Sequence, residues 1–438
     1  MNNIIISTKN IEKVMTENLL QFIWQHRLYD TAIPLLTTDG EPIIVLNPGF
    51  KNTHAGTDFL EAKIKISNTI WVGNVEIHIK SSDWNKHKHE ENEAYGKIIL
   101  HVVYHNDAPV KTYNNTSFCT LALHAHLPIS VLNKYELMMQ SSLFIPCANN
   151  LSMVKSITIQ TQLQRMLAER LEEKSTRIVH LLKQNQQDWQ HVMYVQLARG
   201  FGLHINQDAF EQLAIQTPLK VIAKHQFNLL QIEALLFGQA GLLDEYFDEA
   251  YPLLLQQEYL YLKKLYQLQP IAKHAWKFLR LRPANFPTIR IAQFAKLMMQ
   301  SAGLFSKIMS ADTLKDIEQL FHIDVSGFWL THFTLYEPSV PRKKALGKSF
   351  IHTLIINAII PTMYMYGKLQ GNESYCTKAI ELLQQLPAEN NHILTRWQAL
   401  YPHAQHAADT QALLQLYNKY CDAKKCLACS IGYEILKQ

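Results

Sequence analysis

Blocks of like charge are absent from this sequence: only 18% of its 438 residues are charged, and no run of acidic or basic residues stands out. That excludes an acidic disordered tail and a polybasic nucleic-acid arm. A secretory leader is lacking too. MNNIIISTKNIEKVMTENLL has a short apolar run but no basic start, no apolar core of about 7 to 15 residues and no small-residue cleavage site. A cytoplasmic location is therefore expected. Apolar runs of the roughly 20 residues that span a bilayer are missing. The longest, TLIINAIIPTMYMYG (353–367), is interrupted by Asn357 and Pro361, and reads as a buried core helix kinked at Pro361, with no membrane partner. No HExxH occurs, which removes the tight metalloprotease motif, and no fixed repeat period marks a solenoid.

What is present is apolar and mixed. Apolar residues make up 47% of the chain, so it is globular, and 438 residues exceed the usual single core, so two domains are expected. The net charge of +5 is compatible with an acidic partner such as nucleic acid. Six cysteines in a long cytoplasmic chain point to free thiols or metal ligation before disulfides.

Strand and helix signals mix in the first third, whereas nearly everything after residue 150 reads helical. Leu19, Leu20, Ile23, Trp24 and Leu28 form one helical stripe behind Thr16, a plausible N-cap, with Glu17 in the first turn. PIIVLNPG (42–49) reads as a short strand. DFLEAKIKIS (58–67) and IWVGNVEIHIK (70–80) alternate apolar and polar residues around a turn at Asn68 and Thr69, which makes a β-hairpin. IILHVVYH (98–105) is a buried strand, a further strand is expected near 116–125, and a helix over 129–140. The helix that follows over SITIQTQLQRMLAERLEEKSTRIVHLLKQ carries Leu163, Leu167, Leu171, Ile178 and Leu182 on one face. Trp276, Trp329 and Trp397 sit in apolar stripes and read as core. The predicted architecture is an α/β domain over 1–145 with a mixed sheet, and an all-α domain over 146–438 that ends in a Cys-rich segment.

Chemistry concentrates on the hairpin. Residues two apart on a strand share a face, so Glu76, His78 and Lys80 project together. Asp58 on the preceding strand lies near Glu76 or Lys80, depending on register. One carboxylate from each strand, with the carbonyl of Ile77, would form an all-oxygen site suited to Mg²⁺ or Mn²⁺, and His78 or Lys80 could orient or deprotonate water for phosphodiester hydrolysis. The same alternation also describes a half-solvated strand with no site at all. Density argues for a site: Asp58, Glu76, His78, Asp83, His87, His89, His101 and His105 fall within 48 residues. A competing use of these residues is a zinc centre, with His87 and His89 joined by His78 or His101 as ligands and Glu76 as base.

This order of helix, strand and hairpin, with Asp on one strand and Glu-x-basic on the next, resembles the core of the PD-(D/E)XK nucleases, whose fold is that of restriction endonucleases. The resemblance implies Asp58 and Glu76 as metal ligands and Glu17 as an additional helix carboxylate. At the position where that family carries its water-activating Lys this chain has His78, with Lys80 two residues further on. No Pro precedes Asp58. The implied activity is metal-dependent cleavage of nucleic acid. The alternative is an inactive fold of the same kind that binds nucleic acid or protein.

Near the end, YCDAKKCLACSIG spaces Cys421, Cys426 and Cys429 as C-x4-C-x2-C. Three thiolates so close suit Zn²⁺ or an iron–sulfur cluster, with Cys147 the first candidate for a fourth ligand and Cys376, His403 and His406 as others. A nuclease core with a distal cysteine triad is similar in architecture to the iron–sulfur nucleases of the RecB-like group, although their single Cys precedes the core. RLRPANFPTIR places Arg280, Arg282 and Arg290 around a helix start at about Pro287, a candidate phosphate site. ENLLQFIWQHRLYD, GEPIIVLNPG, HAGTDFLEAKI, GNVEIHIKSSDW, LHVVYHND, IPCANN, RLRPANFPTIRIAQ and the final Cys-rich run are together similar to an uncharacterised bacterial family, domain of unknown function 2851. That likeness implies no activity.

Overall fold

The computed structural model describes residues 14–89, 92–111, 118–300, 302–325 and 327–438. The chain divides into two compact units: residues 1–164 together with 416–438, and residues 165–415. The Cys-rich segment expected to close the helical domain is therefore grouped with the sheet.

In the first unit, helix α1 (Glu17–His26) precedes strands β1 (Ile43–Asn47), β2 (Phe50–Lys51), β3 (Phe59–Ile66) and β4 (Thr69–Lys80). A short helix α2 (Asp83–Lys86) leads to β5 (Ile98–His105) and β6 (Thr120–Ala122), followed by α3 (Ile129–Gln140) and the start of the long α4 (Ser156–Gln184), whose residues from Arg165 on belong to the second unit. β6 is shorter than the strand expected near 116–125, and residues 116 and 117 lie outside the described residues. The sheet is mixed: β1, β3 and β4 run antiparallel in the order β1-β3-β4-β5-β6, while β4–β5 and β5–β6 are parallel. Leu19, Ile23 and Trp24 of α1 are fully buried, as are Phe59, Ile64, Val75 and Ile77 of the hairpin. At Gly73 a Cβ would stand 2.4 Å from Ile99 Cγ2 and 2.7 Å from the Lys97 carbonyl, so only glycine lets the strands approach there.

Near the turn the hairpin pairs Ile66 with Thr69 and Ala62 with Gly73, but further on Phe59 faces Val75. One extra residue has been inserted in β3, at Glu61, which adopts φ 56°. This bulge decides which side chains meet at the far end of the hairpin.

The second unit is helical. Lys348–Gln370 is long and apolar enough to cross a membrane by length and composition, and 78% of its apolar window is buried within the protein. The irregularity expected at Pro361 takes the form of a π-helical turn over Ile355–Ile359, because proline lacks the N–H and its ring clashes with the carbonyl four residues back. Trp276, Trp329 and Trp397 are all buried. Trp329 Nε1 donates to Glu233 Oε1 at 3.1 Å, and Tyr251 donates its hydroxyl to the other oxygen.

Burial pushes the Glu233 carboxyl up to about 7 from an ordinary value of 4.5, against the two hydrogen bonds that lower it. The folded chain thus holds a proton that the unfolded chain releases above about pH 4.5, and this stabilisation is lost as pH rises through about 7. Glu233→Gln supplies a neutral group with the same reach. The variant is expected to unfold less readily than wild type at pH 8, by up to about 3 kcal/mol, and to show no such gain at pH 4, as followed by thermal unfolding across pH.

Candidate metal centre

Helix α1 starts where Thr16 Oγ1 accepts the Leu19 N–H at 3.2 Å. That start puts Glu17 and Gln21, four residues apart, on one face. Gln21 Nε2 donates to Asp58 Oδ1 at 2.8 Å. Beyond the bulge, Asp58 stands level with Glu76, since Phe59 is paired with Val75. The Asp58 N–H donates to Glu76 Oε2 and the Ile77 N–H donates to Asp58 Oδ2, both at 3.0 Å. Each carboxylate is therefore held by a backbone N–H from across the hairpin. Burial, then the charge of Glu76, pushes the Asp58 carboxyl up to about 7. Glu17 is also raised, first by burial, and His87, Glu76, Asp83 and His89 all act on it. The first helix thus contributes its carboxylate to the same neighbourhood.

Four histidines surround Glu76. Parallel pairing sets Glu76 beside His101 on β5, and both are buried. His78 Nδ1 lies 2.9 Å from His101 Nε2, and His78 Nε2 lies 3.1 Å from His87 Nδ1. His89 Nε2 is 3.4 Å from Glu76 Oε1, and His78 Nε2 is 3.8 Å from the same oxygen. His78, His87 and His89 each offer a ring nitrogen within 4.8 Å of the others. His78 and His89 are buried and His87 is exposed, so the cluster opens to solvent at His87. His89 Nε2 and His101 Nδ1 are buried without a hydrogen-bond partner. Burial first, then the neighbouring imidazoles, holds His78 and His101 down to about 3, so both are neutral at ordinary pH. Neutral imidazole is the form that ligates metals.

The cluster is walled by aromatic rings. Trp84 is fully buried, donates Nε1–H to the Lys111 carbonyl at 2.9 Å, and lies with its ring 5.2 Å from His89 and 5.4 Å from His101. Tyr95 stacks on His89 at 3.9 Å. Neither Gln21 nor Trp84 is marked by the strand pattern. Gln21 could have been found from its place one turn after Glu17.

The expected site residues divide. Glu17, Asp58, Glu76 and His78 come together. Lys80 is exposed, its backbone N–H bonds Asp83 Oδ2 at 3.0 Å, and it is not among the groups acting on Asp58 or Glu17. An ideal strand would keep it beside His78, but β4 leaves the core after residue 79. Ile77 meets Asp58 through its N–H. With both oxygens of Asp58 already accepting hydrogen bonds, the imidazole trio is the better donor set, and it suits Zn²⁺ more than the Mg²⁺ or Mn²⁺ expected of an all-oxygen arrangement. Arg280 and Arg282 are exposed, whereas Arg290, in the helix that does start at Pro287, turns inward. Its guanidinium donates to Asn285 at 2.6 Å and Gln293 at 3.0 Å and lies 3.7 Å from the Phe350 ring. Arg290 is thus a packed core cation, which corrects the expected phosphate role. Cys147, Cys421, Cys426 and Cys429 all lie in the first unit.

Residues 17–392 match the family described as protein of unknown function (DUF2851). The chain belongs to that family. The match takes in the whole carboxylate and imidazole cluster of this DUF2851 chain and stops short of Cys421, Cys426 and Cys429. No curated protein and no solved structure matches the chain.

Proposed function

We propose that this protein is a metal-dependent hydrolase of phosphodiesters, with nucleic acid as substrate and with its metal held by His78, His87 and His89. The observation that carries the reading is the convergence of three ring nitrogens within 4.8 Å, with Glu76 Oε1 3.4 Å from His89. The Nε2 of His89 fits it as well: it is buried with no hydrogen bond, its contact with Glu76 Oε1 being one of charge at 3.4 Å, which suits a ligand atom.

A divalent ion at that position supplies Lewis acidity toward a phosphoryl oxygen. The protein's own groups divide the remaining work. With His78 Nε2 directed at the cluster, its Nδ1 carries the proton and donates to His101, which fixes the ring. Glu76, anchored through Oε2 by the Asp58 N–H, turns Oε1 toward the imidazole cluster, where it can accept a proton from attacking water. Asp58 and Gln21 position Glu76. The sheet order, an antiparallel hairpin followed by a parallel strand, supports a restriction-endonuclease-like reading, although α2 is a single short turn between β4 and β5.

Purified protein supplied with Mn²⁺ or Zn²⁺ is expected to cleave at least one of single- or double-stranded DNA or RNA, and His89→Ala is expected to abolish both the cleavage and stoichiometric metal uptake at this site. Binding of nucleic acid with no cleavage of any of the four substrates by metal-loaded protein would instead identify an inactive binding module.

A further inference from the structure

The first unit carries a second set of candidate ligands at its chain return. Cys147 heads the 3-10 turn Ala148–Met153, Cys421 closes the π-turn Tyr417–Cys421, Cys426 begins the 3-10 turn Cys426–Ala428, and Cys429 caps the terminal helix Ser430–Lys437. None is in a disulfide. Cys147, Cys426 and Cys429 are buried and Cys421 is half-buried.

Hydrogen bonds lay the returning segment against the Cys147 region. The Lys155 N–H donates to Glu434 Oε1 at 2.9 Å, the Ser430 N–H to Gln162 Oε1 at 3.0 Å, and Gln438 Nε2 to the Met153 carbonyl at 3.2 Å. Phe144 stacks on Tyr417 at 4.6 Å. Between the cysteines the chain folds tightly. Lys424 adopts φ 50°, the Lys425 N–H returns to the Tyr420 carbonyl at 2.8 Å, and the Cys429 N–H bonds the Cys426 carbonyl at 3.3 Å. Gly432 makes room for that carbonyl, which would stand 2.2 Å from any Cβ there.

The turns that carry the thiols adjoin. The Cys429 N–H reaches back to the Cys426 carbonyl, and the terminal helix that Cys429 caps ends at Gln438, which bonds the Met153 carbonyl in the turn that Cys147 heads. A cation among these thiols would hold them as thiolates.

We propose that Cys147, Cys421, Cys426 and Cys429 hold a thiolate-bound metal centre, a zinc ion or an iron–sulfur cluster, that fastens residues 416–438 into the first unit. Ligands drawn from residues so far apart in sequence cross-link the unit, as structural metal sites do. Among the described residues the imidazole trio closes to within 4.8 Å, and no three of these thiols do so. A zinc ion with bonds of about 2.3 Å would draw the sulfurs in, whereas a cluster with one thiolate per iron accepts the wider spacing.

The test uses the full chain purified without oxygen in a His87→Ala background, which removes the imidazole site from the count. Metal analysis, acid-labile sulfide and the visible spectrum separate the two sources: colourless protein with about one zinc, or brown protein with iron and sulfide. Cys426→Ser and Cys429→Ser are each expected to drop the metal to under about a tenth of an equivalent per chain and to lower the unfolding temperature. Cys376→Ser, outside the set, should change neither. If the serine variants do not fold, thiol titration of the folded parent replaces them: four of its six cysteines should resist labelling until the metal is removed by chelation. Folded protein with neither zinc nor iron, metal retained in a folded Cys426→Ser protein, or a labelling pattern that chelation leaves unchanged would overturn the proposal.

Discussion

Glu76→Gln is expected to lower metal-dependent cleavage by about 10²-fold or more, the range by which general acid–base groups accelerate reactions, with little change in stability. The amide oxygen can still accept the Asp58 N–H that Glu76 Oε2 accepts at 3.0 Å, so the brace between β3 and β4 survives. What disappears is the negative charge at Oε1, which faces His89 at 3.4 Å and His78 at 3.8 Å. Glu76→Ala separates the two roles further. It leaves the half-buried Asp58 N–H without this partner, a loss of about 1 kcal/mol that the amide variant escapes. Turnover on a model phosphodiester, measured beside urea unfolding of both variants, checks the pair. A Gln variant as active as wild type would remove Glu76 from the chemistry.

Trp84→Ala carries the largest expected cost in stability. The ring is fully buried, packs 4.8 Å from Phe118 and 5.9 Å from Tyr95, and bonds the Lys111 carbonyl at 2.9 Å. Truncating a buried tryptophan costs about 3 to 5 kcal/mol. The same change strips the wall from His89 and His101, so metal affinity is expected to fall with stability, whereas Trp84→Phe should recover most of the packing but not the hydrogen bond. Urea denaturation and metal titration of the two variants read both effects.

Much of the hairpin is legible in its alternation, and α1 in its stripe and cap. The bulge is not. Extended without interruption from the Ile66–Thr69 pair, the register would set Asp58 opposite Ile77, on the wrong face for Glu76, and the residue inserted at Glu61 reverses this. A positive φ at a glutamate leaves no compositional trace, and that is why the choice between Glu76 and Lys80 stays open in sequence. His101 beside Glu76 depends on parallel pairing between strands joined by a connection of irregular length, which no local pattern encodes. The inward turn of Arg290 depends on Phe350, sixty residues away. Composition does not show that residues 416–438 return to the unit of the sheet, because the helical signals run without a break from residue 150 onward.

The first unit is split in sequence by the second, and this orders events during synthesis. Residues 1–164 leave the ribosome first and can form the sheet, but residues 416–438 follow only after 165–415 have been made. For that interval the surface around Cys147 waits uncovered while an entire helical unit is translated. Sheet assembly early and closure late are thus separate steps in the life of one chain.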